Sequence, residues 1–126
     1  MPRLVKGGKW VFGWTFVGPQ RELTIPPEAR REYGFRVGSR VLFLRGSRRS
    51  GGFSIGTLTQ MSIFLGKRVL GQSRIGEGGQ VVVPTEADVR PGDRLVVVRG
   101  SHYALGFVAR GPIYEAAAEH PELEVF

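Results

Sequence analysis

The sequence predicts a mostly β protein: one small closed β-barrel made of two repeats, with a short helix in each repeat and a C-terminal helix. The 19 glycines and 8 prolines are scattered among short apolar runs, a distribution typical of turns between short strands. The chain also contains an internal duplication. Each copy alone has too few strands to bury its apolar faces, whereas two interlocked copies would close a barrel without exposed sheet edges.

The duplication consists of two aligned segments. Arg36–Phe53 and Arg90–Phe107 are identical at eight of eighteen positions, at a constant shift of 54 residues. Upstream, Gly18–Ala29 parallels Gly76–Ala87 at a shift of 58. The four-residue difference falls at 30–34, and four residues make about one turn of helix. We therefore expect the second copy to repeat the order of elements with a helix that is one turn shorter.

The first copy contains four predicted strands, each a short apolar or alternating run bounded by turn residues. They are Trp10–Val17, Glu22–Ile25, Val41–Leu44 and Phe53–Thr59. Alternation in the first strand places four aromatic side chains on one face, which favours a core strand over a platform for stacking bases. Pro27 suits the first turn of a helix that runs through Tyr33 and ends at Gly34.

The second copy repeats this order with strands over Val81–Val83, Leu95–Val98 and Tyr103–Ala109. A closing helix begins at Gly111-Pro112, runs through Ala118 and ends at His120-Pro121. Glu122–Phe126 is a candidate last strand. The predicted organisation is a single barrel domain over 1–126, with repeats at about 9–60 and 67–110 and a helix and tail over 111–126.

The charge of the chain is uneven. Residues 1–75 carry 14 Lys and Arg against 3 acidic residues, a net charge of +11. Residues 76–126 carry 4 Arg against 8 acidic residues, a net charge of −4. A basic half attracts a polyanion, while an acidic half faces away from it or meets a protein partner.

Several classes of function are excluded by what the sequence lacks. Without cysteine there is no disulfide, no thiolate nucleophile and no cysteine metal site. No apolar run approaches the length of a membrane span and the N-terminus has no apolar signal, so we expect a cytoplasmic protein without a membrane partner. His102 and His120 stand in no catalytic or metal-ligand spacing, so we expect no enzymatic activity, metal or cofactor.

The sequence RGSRRSGGF, residues 45–53, places Arg45, Arg48 and Arg49 on a glycine-rich loop. The second copy keeps the frame Arg-Gly-Ser…Gly-Phe but replaces the last two arginines by His and Tyr, so the hairpin itself does not need them. Two interpretations stay open at this point. The arginines contact phosphates, or they are the solvated tip of a hairpin.

The stretch ELTIPPEARREYGFRVGSRVLFL, Glu22–Leu44, resembles the AbrB/SpoVT/MazE superfamily of bacterial and archaeal transition-state regulators and antitoxins. The shared elements are a glycine turn, a short strand ending in Ile-Pro, a helix with Glu and Arg, and a glycine turn before an apolar strand. The second copy supplies the same elements in the same order, and the two copies cover about two-thirds of the chain.

This resemblance implies a swapped-hairpin barrel, which two single copies normally form as a homodimer and which two tandem copies would close within one chain or between chains. It also implies a non-catalytic transcriptional regulator that binds double-stranded DNA. The helix match carries the DNA-binding role onto Arg30 and Arg31, and Arg21 precedes the Ile-Pro strand one residue out of register. The expected DNA contacts are Arg21, Arg30, Arg31, Arg45, Arg48 and Arg49.

The second copy departs from this pattern because Arg30 and Arg31 have no counterpart there. The chain would read an asymmetric site as a monomer, or associate as a homodimer to present two basic halves. The alternatives are an antitoxin-like or scaffold module that holds a protein partner through the acidic C-terminal half, and a small-ligand-binding barrel. The residues for the protein partner would be Tyr114, Glu115, Glu119, Glu122, Glu124 and Phe126.

Overall fold

The structure, a computed structural model, describes residues 10–57, 69–100 and 103–126. In this part of the chain it contains eight strands and two α-helices, so the mostly β prediction is confirmed. The strands are β1 (Val11–Phe16), β2 (Glu22–Thr24), β3 (Arg40–Arg45), β4 (Phe53–Thr57), β5 (Val69–Arg74), β6 (Gln80–Val82), β7 (Arg94–Arg99) and β8 (Leu105–Val108). The helices are α1 (Pro27–Tyr33) and α2 (Pro112–Ala118).

All strand pairs are antiparallel, and they form two sheets. One sheet has six strands in the order β1-β7-β8-β4-β3-β5, and the other is a two-stranded ribbon of β2 and β6. The six-stranded order is symmetric about the β8–β4 pair, since reversing it exchanges β1 with β5 and β7 with β3. Each half of the chain therefore lends its first strand to the other half.

The strand bounds repeat with the two shifts seen in the sequence. A shift of 58 converts β1 into β5 and β2 into β6, and a shift of 54 converts β3 into β7. A bulge recurs as well, between Val11 and Gly13 in β1 and between Val69 and Gly71 in β5. Both glycines have positive φ, +144° and +153°, where a side chain would be strained.

The core contains side chains from both halves. Phe43, Phe53 and Phe107 lie on β3, β4 and β8 and are fully buried. Their ring centroids are 5.2 Å apart for Phe43 and Phe53 and 4.9 Å apart for Phe53 and Phe107. Since these strands are the centre of the sheet, the two halves share one core and neither buries its apolar face alone.

Helix α1 has the bounds that the sequence predicts. Pro27 lies in its first turn, and Gly34 ends it in the left-handed conformation at φ +69°. Ala29 and Tyr33, four residues apart, are the buried face of the helix. The polar face of α1 is therefore directed away from the core.

Three expectations need correction, and the first is the helix of the second copy. Residues 84–89 form turns instead, in which the Ala87 N–H donates to the Pro84 carbonyl at 3.1 Å and the Val89 N–H to the Ala87 carbonyl at 2.9 Å. Removing one turn from a seven-residue helix leaves too few residues for a run of i→i−4 hydrogen bonds. The short helix therefore occurs in the first copy alone among the described residues.

The second correction concerns the aromatic stripe, which does not lie on one face. The bulge before Gly13 changes the alternation, so that Phe12 packs in the main core and Trp14 in a second cluster beneath α2. Phe16 is 46% exposed. Since Phe12 and Trp14 are buried on different sides, the strand offers no continuous surface for stacking bases.

The third correction concerns the C-terminus, which forms a single bridge rather than a strand. The Trp14 N–H donates to the Glu124 carbonyl and the Phe126 N–H donates to the Trp14 carbonyl, both at 2.8 Å. The tail therefore covers the outer edge of β1. Of the predicted strand Phe53–Thr59, the last two residues lie outside the described part of the chain.

One strand of the structure was not predicted from the sequence. β5 is absent from the predicted strands because its sequence, VLGQSR, has only two apolar side chains and no clear alternation.

Within the described ranges, neither helix has the length and apolar character needed to cross a membrane.

Candidate nucleic-acid interface

The expected DNA-binding arginines fall into two separate groups. Arg30 and Arg31 lie in the last turn of α1, which leads through a tight turn to the start of β3 at Arg40. The arginine loop, residues 45–52, begins at the other end of β3. Five residue steps along β3, roughly 16 Å, separate its two ends. The two groups line different openings, one with Arg30 and Arg31 and the other with Arg45 and Arg48.

An open groove at the end of α1 brings three arginines together. It has a volume of about 450 Å³ and is lined by Arg30, Arg31 and Arg36, with Phe35 and Pro27 among the apolar lining residues. We call it the arginine groove. Arg36 was not among the expected DNA contacts, although it follows the helix-ending Gly34 by only two residues.

One of the two acidic side chains of α1, Glu32, is bound outside the arginine groove. Glu32 accepts hydrogen bonds from Arg99 Nε at 2.6 Å and from Arg99 Nη2 at 2.5 Å. This pairing raises the pKa of the Arg99 guanidinium. Arg30 and Arg31 are not in a salt bridge with any carboxylate of the described ranges. The guanidinium groups are therefore available to an anion.

Arg30 is held in place by the backbone of both copies. Its Nε donates to the Ile25 carbonyl at 3.1 Å. Its side chain also crosses the backbone at Gly79, where a Cβ would collide with the guanidinium. A glycine in the second copy thus makes room for an arginine of the first, which orients Arg30 at the groove.

Arg21, one of the expected phosphate contacts, is bound within the chain. Its Nε donates to the carbonyl of Val83 at 3.0 Å, and its Nη1 to that of Val89 at 2.8 Å. Its Nη2 donates to the carbonyls of Pro84 at 2.6 Å and Ala87 at 3.2 Å. Four hydrogen bonds from one guanidinium leave little capacity for a phosphate, which favours a structural role for Arg21.

The repeat explains why Arg21 has this role. At the shift of 58, Arg21 corresponds to Gly79, and Val83 corresponds to Ile25. In the first half Arg30 crosses Gly79 and binds the Ile25 carbonyl; the second half has lost the turn that would carry the counterpart of Arg30. Arg21 supplies the missing donor from the opposite copy, at a φ of +63°.

Tyr33 joins α1 to the hairpin of the second copy. Its hydroxyl donates to the Ala104 carbonyl at 3.2 Å, next to the pair of Glu32 and Arg99. Burial, together with the negative charge of Glu32, raises the pKa of Tyr33 to about 12. The phenol therefore stays neutral and keeps donating this hydrogen bond well above the physiological pH range.

The backbone of the arginine loop is docked, not solvated. The Ser50 carbonyl accepts hydrogen bonds from the N–H groups of Ala109 at 2.9 Å and Arg110 at 3.0 Å. The Arg110 guanidinium donates to the Arg48 carbonyl through Nε at 3.1 Å and Nη2 at 2.8 Å. The loop is thus held against the segment that follows β8.

The side chains of the arginine loop meet a different electrostatic environment from that of the arginine groove. Arg45, Arg48 and Arg49 are exposed. Arg45 and Arg48 line a cleft together with the carboxylates Glu86 and Asp88. Because nearby negative charge repels a phosphodiester, this cleft is a poorer phosphate site than the arginine groove.

The aromatic residues of the acidic half are already engaged within the chain. Tyr114 packs edge-to-face on Trp14 at 5.1 Å between ring centroids, and the Arg94 guanidinium lies 3.9 Å above the Trp14 ring. The tail at Phe126 is hydrogen-bonded to β1. Of the residues expected to hold a protein partner, the acidic ones are all exposed: Glu115, Glu119, Glu122 and Glu124.

Comparison with known proteins identifies no family for this chain. No protein-family model matches the chain, and no curated protein matches it. The solution structure of PHS018 from Pyrococcus horikoshii is similar, with 20% sequence identity and a TM-score of 0.38, over 82% of this chain and 99% of that chain. A likeness at this TM-score carries no argument about fold or function.

We predict that Arg21→Ala lowers the free energy of unfolding by about 2–4 kcal/mol, because the carbonyls of the 83–89 turn lose charge-assisted hydrogen bonds. Arg21→Gly should cost less, since glycine adopts the positive φ without strain. Urea denaturation measures both. Arg90→Ala, at an exposed side chain next to the 83–89 turn, is the control and should leave stability unchanged. An equally stable Arg21→Ala protein would contradict the structural role.

We also predict a pH dependence from Tyr33. Its folded pKa of about 12 exceeds its ordinary value of 10.0, so this contribution to stability is complete below pH 10.0 and is lost as the pH rises toward 12. Tyr33→Phe should make the fall shallower when unfolding is measured across this range. Tyr103→Phe, at a ring that is 47% exposed, should keep the steeper fall. An unchanged slope in Tyr33→Phe would count against the buried phenol.

Proposed function

We propose that the chain is a non-catalytic transcriptional regulator of the AbrB/SpoVT type that binds double-stranded DNA through the arginine groove. The observation that carries the proposal is the convergence of Arg30, Arg31 and Arg36 at the end of α1, in the half of the chain with a net charge of +11. A guanidinium binds a phosphate or the O6 and N7 atoms of guanine through two parallel hydrogen bonds. Catalysis has no part in this proposal.

Two neighbouring arginines extend the positive surface. Arg40 and Arg74 are cross-strand partners where β3 and β5 pair, and Arg74 Nη1 donates to the Gly38 carbonyl at 3.2 Å. Gly38 lies in the turn between Arg36 and Arg40. The surface next to the groove therefore adds cations that would follow a DNA backbone, and contacts of this kind set position and orientation on the duplex.

The closed swapped-hairpin barrel is part of the same proposal. Its support is the exchange of first strands, in which β1 pairs with β7 and β5 pairs with β3. The ribbon of β2 and β6 also reaches both outer strands of the sheet. Thr15 of β1 donates to the Thr24 carbonyl at 3.0 Å, and the Val82 N–H donates to Ser73 of β5 at 3.4 Å.

Each chain would offer one DNA-binding surface. In the second half, a turn that contains Glu86 and Asp88 stands where α1 would be, and these carboxylates repel phosphate. A palindromic operator is read by two equal surfaces, so two chains would be needed to read one. A single chain would instead read an asymmetric site.

The test compares two double variants that remove the same charge at the two arginine groups. We predict that Arg31→Ala with Arg36→Ala weakens binding to a mixed-sequence duplex at least tenfold, and lowers the slope of log affinity against log salt by about 1–2. Fluorescence anisotropy at about 50 and 200 mM salt measures both quantities. Both side chains are exposed, which keeps the variant folded.

Arg48→Ala with Arg49→Ala is the matched control, because it lowers the net charge equally at exposed side chains of the arginine loop. It should weaken binding less than the groove variant does. Equal losses would show that net charge alone attracts the DNA, and a larger loss at the loop would move the interface there. Absence of DNA binding by the unmodified chain at low salt would reject the proposal.

A further inference from the structure

A second opening lies between the arginine loop and the 84–89 turn. It has a volume of about 330 Å³, and its charged lining residues are Arg45, Arg48, Glu86, Asp88 and Arg110. We call it the mixed-charge cleft. No salt bridge joins its arginines to its carboxylates within the described ranges, so charges of both signs surround an open space.

The other half of the molecule shows what fills the equivalent space. At the shift of 54, Arg45 corresponds to Arg99, which is bound by the carboxylate of Glu32 through two hydrogen bonds. The neighbouring Tyr33 adds a second link between α1 and this hairpin by donating a hydrogen bond to the Ala104 carbonyl. The second copy lacks the helical turn that would carry the counterparts of Glu32 and Tyr33, which leaves Arg45 facing an open cleft.

The wall of the cleft is closely packed and hydrogen-bonded. Gly51 and Gly52 are buried, both at φ +63°, and a Cβ on Gly51 would come within 2.7 Å of Arg110 Nη1. Arg110 is fixed in turn by its two hydrogen bonds to the Arg48 carbonyl. A ligand would therefore meet a preformed site and lose little free energy to ordering the loop.

The charges of the cleft select the ligand. Three guanidinium groups and two carboxylates sum to a net charge of +1. A phosphodiester would meet the carboxylates at close range, whereas a ligand with both charge signs pairs with all of them. Carboxylates suit Arg45 and Arg48 by bidentate hydrogen bonding, and an ammonium group suits Glu86 and Asp88.

We propose that the mixed-charge cleft binds a small amino dicarboxylate, the chemical class of glutamate. Such a molecule carries two carboxylates and one ammonium group, a net charge of −1 that complements the cleft. One of its carboxylates would take the position at Arg45 that Glu32 takes at Arg99. The volume of about 330 Å³ is at the small end of ligand sites, as such a ligand requires. This site is independent of the DNA proposal.

The test uses L-glutamate as the probe and nuclear magnetic resonance of the full chain as the readout. We expect saturable shifts of the Gly51 and Gly52 amide resonances on titration. Glutarate, which lacks the ammonium group, should bind the unmodified chain at least tenfold more weakly. This comparison needs no substitution, so it does not depend on whether a variant folds.

Two variants then assign the roles. Arg45→Gln should weaken both probes at least tenfold, while Asp88→Asn should weaken L-glutamate and not glutarate. Arg31→Ala, in the arginine groove, should change neither. The proposal is overturned by an absence of saturable shifts, by equal affinity for glutarate and L-glutamate, or by unchanged affinity in Arg45→Gln.

Discussion

Four backbone carbonyls of the 83–89 turn receive hydrogen bonds from one guanidinium, that of Arg21. Polar backbone groups that leave water need partners, and without Arg21 the lost helical turn of the second copy would leave the carbonyls of Val83 and Val89 without them. In the first half the same need is met locally, because Arg30 binds the Ile25 carbonyl across Gly79. The shortened connection is thus tolerated because an arginine of the opposite copy reaches into it, and the strand exchange brings the two together.

Because the second copy lacks this turn, the two halves have different surfaces where an exact repeat would have two alike. The first half keeps a helix end where Arg30, Arg31 and Arg36 surround an open groove, with Glu32 bound to Arg99. The second half has a cleft of mixed charge beside Arg45, where the counterpart of that Glu32 is missing. We propose that one surface binds a polyanion and the other a small amino dicarboxylate. The uneven charge of the sequence therefore reflects two different environments rather than one basic face.

Much of the architecture could be predicted from the repeat, because shifts of 58 and 54 relate the strands as well as the residues. Helix α1 was predictable from Pro27 and Gly34. The bulge at Gly13 was not, since it depends on the register with a partner strand far along the chain. Nor was the role of Arg21, whose four hydrogen bonds join residues 62 to 68 positions apart. Arginines of similar local sequence thus have different roles, which tertiary contacts decide.

The most direct test restores the lost turn and asks whether Arg21 is still needed. In the chimera, Asp88-Val89 is replaced by the six residues of 30–35, RREYGF, which supply the missing donor and carboxylate. The free energy of unfolding is then measured for Arg21→Gly in the natural chain and in the chimera. We predict a clear loss of stability in the natural chain and none in the chimera, where the inserted arginine of the second half fills the space over residue 21. An equal loss in both would contradict the claim that Arg21 replaces the missing turn.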